Sequence, residues 1–208
     1  RFRESDFLET RHREGLSPSW PLSYSDLEPY YCEAESLYRV HGNPEDDPTY
    51  PPRSAPMPFP ALPHDPYIEE VKRRLEQKGV HPVANAMGIN WSSGLDSSCI
   101  RCKTCDGFPC KVGAKSDAEI NALNPAIATG KVQLRTQTQA LRILTSNNEV
   151  IGIEVQGPHG IEILTADKYV LAAGAVNTTA LLLKSANDYF PTGIANRSDQ
   201  VGRNFMMH

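Results

Sequence analysis

The chain contains the stretch Tyr169-Val-Leu-Ala-Ala-Gly-Ala-Val-Asn-Thr-Thr-Ala-Leu-Leu-Leu-Lys184. Its pattern predicts an apolar strand over residues 168–172, a turn of small residues and a helix over residues 177–187. A helix N-terminus offers unpaired N–H groups and the positive end of the helix dipole, and small residues let a ligand approach the backbone. We therefore interpret the stretch as the part of an α/β protein that approaches a nucleotide.

The same turn also has a purely structural interpretation. A tight connection between a strand and a helix often needs glycine for packing alone, and the full G-x-G-x-x-G fingerprint is absent from the 208 residues. If the protein binds a dinucleotide, we expect its main phosphate loop to lie outside this sequence.

The segments before this stretch predict a small antiparallel sheet. Side chains alternate between apolar and polar over residues 132–136, 139–145, 149–156 and 160–165. Turn residues at Asn147-Asn148 and at 157–160 separate the last three, so we predict a three-stranded meander.

The N-terminal part of the chain is helical, proline-rich and cysteine-rich. Helical spacing predicts helices over 26–39 and over 67–78, the second with Ile68, Val71 and Leu75 on its inward face. The proline-rich segment 43–66 is expected to be extended, 84–115 to be a loop, and 117–128 a further helix. We divide the chain into a helical, proline-rich and cysteine-rich region, residues 1–115, and a part that belongs to a nucleotide-binding domain, residues 116–208.

Composition excludes two classes of partner. The net charge is −4 and the Lys and Arg residues are spread along the chain, whereas a nucleic-acid footprint needs a basic patch. No apolar run reaches the roughly 18 residues that a membrane span requires. We therefore expect neither nucleic-acid binding nor a membrane span in this segment.

Four of the five cysteines lie close together, as Cys99, Cys102, Cys105 and Cys110. The spacing C-x2-C-x2-C-x4-C is close to the ferredoxin pattern, in which the fourth cysteine follows after three residues and precedes proline. Here four residues intervene and Pro109 precedes Cys110. Zinc and disulfides are alternatives, although zinc sites more often use two separated pairs and disulfides require an oxidising compartment.

Several segments of the chain occur in the same order in one known family. They are Trp20-Pro-Leu-Ser-Tyr-Ser-Asp-Leu-Glu-Pro-Tyr-Tyr31, Gly113-Ala-Lys-Ser116, Val132-Gln-Leu-Arg-Thr136, Val170-Leu-Ala-Ala-Gly-Ala175 with Leu181-Leu-Leu-Lys-Ser185, and Val201-Gly-Arg-Asn-Phe-Met-Met-His208. The ordered set resembles the glucose–methanol–choline (GMC) oxidoreductases over nearly the whole chain.

This resemblance implies a flavoprotein that uses FAD to oxidise the CH–OH group of an alcohol or sugar. In the family, hydride passes to flavin N5 while a histidine near the C-terminus takes the hydroxyl proton. We expect this chain to be the central part of such an enzyme, with the first FAD-binding segment before Arg1 and the catalytic histidine after His208. On this view it contains no catalytic residue and is inactive alone.

The resemblance implies that residues 1–115 pack on the flavin and substrate side and that residues 116–208 are part of the FAD-binding domain. It also implies particular cofactor contacts. Ala140, in the second of the alternating segments, would touch the adenine through its backbone. Ala172, Ala173 and Gly174 would lie along the adenosine diphosphate, with Asn177 and Thr178 as further contacts at the helix start.

The cysteine loop bears on the electron acceptor. Cys110-Lys-Val-Gly-Ala114 is similar to a motif of bacterial dehydrogenase subunits in this family, which carry an iron–sulfur cluster and pass electrons onward instead of to oxygen. This likeness favours a dehydrogenase over an oxidase, with an electron-acceptor protein or subunit as partner. The alternatives are a cysteine-centred electron-transfer or metal-binding module without alcohol chemistry, and a structural or binding domain with a vestigial nucleotide fold.

Overall fold

The computed structural model describes residues 1–13, 15–92, 98–102, 105 and 107–205. The chain forms two compact units, residues 1–133 and residues 134–208. The helical segment after residue 115 therefore belongs to the first compact unit. The functional division proposed at 115/116 stays a prediction, because a compact unit is not in itself a functional domain.

The first unit begins with short elements and one long helix. Strands β1 (Thr10–His12) and β2 (Gly15–Ser17) pair antiparallel, and α1 spans Tyr24–Leu37. The α1 helix starts two residues earlier than predicted, because the Ser23 N–H donates to the Asp26 carboxylate at 2.8 Å and so fixes the start at Tyr24.

The proline-rich region contains little regular structure. Residues 44–46 form a short 3-10 turn, and residues 47–65 contain no helix or strand apart from a bridge between Phe59 and His41. Helix α2 follows over Pro66–Glu76, with Asp65 as N-cap and proline at its first position. Val71 and Leu75 are half-buried. Ile68 is 46% exposed but lines a pocket together with Met87 and Trp91, which agrees with the predicted inward face.

Two further strands and an irregular helix complete this unit. Strand β3 (Val40–His41) pairs antiparallel with β4 (Met87–Gly88). The helix predicted over 117–128 consists of a π-helical turn, Glu119–Leu123, which continues into α3, Asn124–Ala128. Gly130 follows with φ of +71°, as a helix-ending glycine requires.

The second unit is built on the predicted meander, which is confirmed. Strands β5 (Gln139–Ser146), β6 (Glu149–Gly157) and β7 (Gly160–Leu164) form one antiparallel sheet in the order β5-β6-β7. Asn147 has φ of +51° in the first turn, a conformation that asparagine tolerates. Ile143, Val155, Leu181 and Phe190 are buried and form the core of this unit.

One further alternating segment and one predicted strand of this region form no strand. Residues 132–136 form no strand, and Arg135 pairs through its guanidinium with the Glu162 carboxylate instead. Residues 168–172 form no strand either, and Val170 is 86% exposed. A strand buried on both faces needs strands beside it, and none of the described strands pairs with this segment.

Helix α4 spans Gly174–Lys184 and packs against β5. It begins three residues before the predicted start at 177, because Gly174 takes φ of +80° and turns the chain directly into the helix. Within the described part of the chain, no helix is both long and apolar enough to cross a membrane.

Candidate functional site

A cleft lies between β5 and α4 in the second unit. Its volume is about 270 Å³. This is slightly below the usual range for a pocket that holds a whole small-molecule ligand. The cleft is lined by Gln139, Ala140, Leu141, Ala173, Asn177, Ala180, Leu181 and Lys184. We call it the β5–α4 cleft.

Strand β5 forms one wall of this cleft. It is at the edge of the sheet, so part of its backbone N–H and C=O groups has no neighbouring strand to pair with. Its register against β6 shifts between Ala140 and Arg142, so Leu141 is the extra residue of a bulge. Because β5 is an edge strand with a bulge, its backbone groups are suited to bind a flat ring. Such a backbone contact is the one expected of Ala140.

The turn before α4 forms the opposite wall. Gly174 has φ of +80°, and a Cβ added there would meet no atom within 4 Å. Residues 172–177 are all exposed. The space above this turn is therefore open to a ligand, and glycine is required by the backbone conformation rather than by crowding.

The Thr178 side chain organises this turn. Its Oγ1 accepts a hydrogen bond from the Ala173 N–H at 3.1 Å. Thr178 is half-buried, and it lies in the second turn of α4 because the helix begins at Gly174. Its hydroxyl thus holds the turn as an acceptor, and the cofactor contact predicted for Thr178 stays a prediction.

The structure brings three of the six predicted cofactor residues onto one cleft. Ala140, Ala173 and Asn177 are separated by up to 37 positions in the sequence, yet all three line it. Ala172 and Gly174 flank Ala173 in the same exposed turn. Small side chains let a ligand come close to the backbone, and the edge strand offers backbone groups that can bind it. These features fit the adenosine half of FAD, which must lie close to the backbone with few bulky side chains around it.

Sequence reasoning missed six residues here. Five of them line the cleft: Gln139, Leu141, Ala180, Leu181 and Lys184. The sixth, Ser185, joins α4 to β5. Leu141 gave no signal, because a bulge does not disturb the alternating pattern enough to be recognised. A serine among apolar residues at the end of α4 was the available signal for Ser185.

The cysteine loop is in the first unit, where three of its cysteines share a pocket. Cys99, Cys102 and Cys105 line a pocket of about 430 Å³ together with His64 and Arg101. Desolvation, reinforced by the two neighbouring thiols, raises the pKa of Cys105. Lys103, Thr104 and Asp106 of the loop lie outside the described residues.

Cys110 has different surroundings. Its Sγ accepts the Ala114 N–H at 3.3 Å, and Gly113 takes φ of +63° to bend the chain around it. The backbone N–H groups of Ala114, Lys115 and Val112 lower the pKa of the Cys110 thiol. This is a preorganised environment for a thiolate.

Hydrogen bonds hold the loop against the end of β4. The Asn90 N–H donates to the Ala114 C=O at 2.7 Å, and the Cys99 N–H donates to the Asn90 C=O at 3.1 Å. Lys115 Nζ donates to the Cys105 C=O at 2.7 Å. Among the described residues, no three His, Cys, Asp or Glu side chains are arranged to hold a metal ion, so the predicted four-cysteine ligand set stays a prediction.

Comparison with known proteins gives one family and several relatives. A family model described as GMC oxidoreductase matches residues 69–208. The chain is 32% identical to 6'''-hydroxyparomomycin C oxidase of Streptomyces lividus, over 100% of this chain and 39% of that protein. It is 30% identical to the fructose dehydrogenase large subunit of Gluconobacter japonicus, over 100% of this chain and 38% of that protein. The chain thus spans about two fifths of the length of these relatives.

One solved structure is also similar. It is described as an FAD-dependent oxidoreductase from Chaetomium thermophilum, with a TM-score of 0.45 and 17% identity. The match covers 79% of this chain and 29% of that chain. A likeness of this degree does not establish a common fold.

Proposed function

The chain belongs to the GMC oxidoreductase family, and we propose that the whole protein is an FAD-dependent oxidoreductase that acts on the CH–OH group of an alcohol or sugar. The names of two relatives, an oxidase of an aminoglycoside and a fructose dehydrogenase subunit, support a small hydroxyl-bearing substrate. Residues 1–208 contribute cofactor binding, and none of them is assigned a catalytic role.

One observation carries the proposal: Ala140, Ala173 and Asn177 line the same cleft. We propose that the β5–α4 cleft holds the adenosine half of FAD. The Ala140 backbone would contact the adenine, and the exposed turn 172–174 would follow the adenosine diphosphate. Bound flavin supplies the hydride acceptor at N5, and the residues of this chain bind and orient the other end of the cofactor.

The test is a substitution that fills the cleft. In the whole protein, Ala173→Phe places a large ring where the cofactor would lie, so we expect FAD affinity to fall by at least tenfold, or about 1.4 kcal/mol. The measurement is titration of apoprotein with FAD, followed by flavin fluorescence. The matched control is Ala128→Phe, at an exposed alanine at the end of α3 outside the cleft, which should leave affinity unchanged.

Two results would contradict the proposal. One is wild-type protein that binds no FAD. The other is folded Ala173→Phe protein with wild-type affinity, which would move the cofactor away from this cleft.

A second function is proposed for the cysteine loop. The proposal of an iron–sulfur cluster rests on the spacing of Cys99, Cys102, Cys105 and Cys110. The first three line one pocket, whereas Cys110 does not, and no three of the described side chains are arranged as metal ligands. A cluster would pass electrons to an acceptor protein or subunit, and it would make the enzyme a dehydrogenase. The large-subunit name of the fructose dehydrogenase relative agrees with a partner subunit.

Metal analysis tests this second function. We expect anaerobically purified whole protein to contain iron and acid-labile sulfide, and Cys102→Ser to remove both. Cys32→Ser is the matched control, because Cys32 lies outside the loop and contacts Glu28, so its substitution should leave the iron content unchanged. Zinc, or no metal, in the wild-type protein would rule out a cluster.

A further inference from the structure

Ser185 connects the last turn of α4 to the edge strand β5. Its Oγ accepts a hydrogen bond from the Ile143 N–H at 2.8 Å and donates one to the Leu181 C=O at 2.6 Å. Ser185 is 2% exposed, Ile143 5% and Leu181 8%. Both bonds are therefore shielded from water, and the single hydroxyl serves at once as acceptor and donor.

These bonds lie directly beside the β5–α4 cleft. Leu181 lines the cleft on the helix side, and Ile143 is two residues after Leu141, which lines it on the strand side. Because β5 is an edge strand, the Ser185 hydroxyl takes the place of the acceptor that a neighbouring strand would supply. The position of α4 against β5 thus depends on a side chain at this point.

A second connection lies further from the cleft. Asn187 Nδ2 donates to Thr145 Oγ1 at 3.0 Å, near the end of β5. The exposed surroundings of this bond make it weaker than the pair of buried bonds at Ser185. Ser185 therefore provides a buried hydrogen-bonded link between β5 and α4 on the cleft side.

We propose that Ser185 is a positioning residue that sets the separation of β5 and α4, and with it the width of the cleft for the adenosine half of FAD. The inference rests on the proposed function, which gives the cleft its ligand. Ser185 acts through the backbone of Ile143 and Leu181. Its influence is therefore limited to the adenosine end of the cofactor.

The experiment compares two ligands in the whole apoprotein, FAD and ADP. Ser185→Ala leaves the Ile143 N–H without its acceptor in a site closed to water, and the strand and helix must shift to satisfy it. We expect the Kd values for FAD and for ADP to rise by the same factor, roughly five- to tenfold. An equal rise localises the loss to the part of the cofactor that both ligands share.

Two further variants separate positioning from general destabilisation. Ser185→Cys keeps a weak donor and acceptor at the same place. We therefore expect a smaller rise in Kd that is again equal for FAD and ADP. This variant replaces Ser185→Ala in the test if Ser185→Ala does not fold. Thr192→Val removes a hydroxyl that donates to the Asn196 C=O at 3.2 Å in the same unit, away from the cleft lining. It should lower Tm and leave both Kd values unchanged.

The outcomes distinguish the inference from the proposed function. Unchanged Kd values in both Ser185 variants would overturn the role of Ser185 and leave the flavin site standing. The same conclusion would follow if Thr192→Val raised the Kd values as much as Ser185→Ala does. Wild-type apoprotein that binds neither FAD nor ADP would overturn the proposed function, and the role of Ser185 with it.

Discussion

At the scale of single residues, hydroxyl groups shape the cleft without lining it. Thr178 holds the amide of Ala173, and Ser185 holds the amide of Ile143. Each hydroxyl accepts a hydrogen bond from a backbone N–H group that the hydrogen bonds of the helix and the sheet do not use. The cleft is therefore defined by backbone positions, and five of its eight lining residues are alanine or leucine.

Glu28 is a buried carboxylate whose hydrogen-bond partners favour its ionised form. It is 8% exposed, and its carboxylate accepts bonds from the Cys32 thiol at 2.9 Å and the Arg1 guanidinium at 3.1 Å. The Cys32 thiol, the Ser54 hydroxyl and amide, and Arg1 lower the pKa of Glu28 to about 2. The ionised group thus joins the N-terminal residue, α1 and the proline-rich region.

This pKa shift predicts a loss of stability in acid. A carboxyl group whose pKa is lower in the folded state stabilises the fold above its unfolded pKa, and this contribution disappears as pH falls through the folded pKa. We expect Glu28→Gln to reduce stability at pH 7 and to flatten the pH dependence between about 4.5 and 2. Urea unfolding at a series of pH values measures both.

Glu33→Gln is the control for this variant. Glu33 is an exposed carboxylate on the same helix, and its substitution should change the free energy of unfolding by less than about 0.5 kcal/mol. Equal pH profiles for wild-type and Glu28→Gln protein would show that Glu28 does not stabilise the fold in its ionised form.

At the scale of elements, the sequence predicts the sheet better than its surroundings. Strands β5, β6 and β7 agree with prediction to within a residue at most ends, because each alternates over at least five residues and is bounded by turn residues. The segment 132–136 alternates equally well but forms no strand. Alternation indicates a strand only where another strand is available to pair with it.

The apolar segment 168–172 shows the same limit. Its composition is that of a strand covered on both faces, yet Val170 is 86% exposed and none of the described strands pairs with it. The predicted start of α4 at residue 177 is wrong for a different reason. Gly174 can both turn the chain and enter the helix, and a sequence pattern does not reveal which of these a glycine does.

The candidate site could be predicted only in part from local sequence. The family resemblance indicated Ala140 and Ala173, and the fold places both on one cleft. The bulge at Leu141 and the bonds of Ser185 depend on how β5 meets α4, which is a tertiary property. Such contacts between distant residues leave no periodic signal in a single sequence.

At the scale of the whole molecule, two candidate sites lie in different compact units. The β5–α4 cleft belongs to residues 134–208, and the cysteine loop belongs to residues 1–133. The first is proposed to hold the adenosine end of FAD, and the second to hold an iron–sulfur cluster that passes electrons onward. The two proposals are independent of each other, because they rest on residues of different units.

A structure of the whole protein with FAD bound tests the cofactor assignment most directly. We predict that the adenine lies in the β5–α4 cleft, with a ring nitrogen about 3 Å from a backbone atom of Ala140. The turn 172–174 should then lie against the adenosine diphosphate. An adenine bound elsewhere, with the cleft between β5 and α4 filled by protein or solvent, would contradict the assignment.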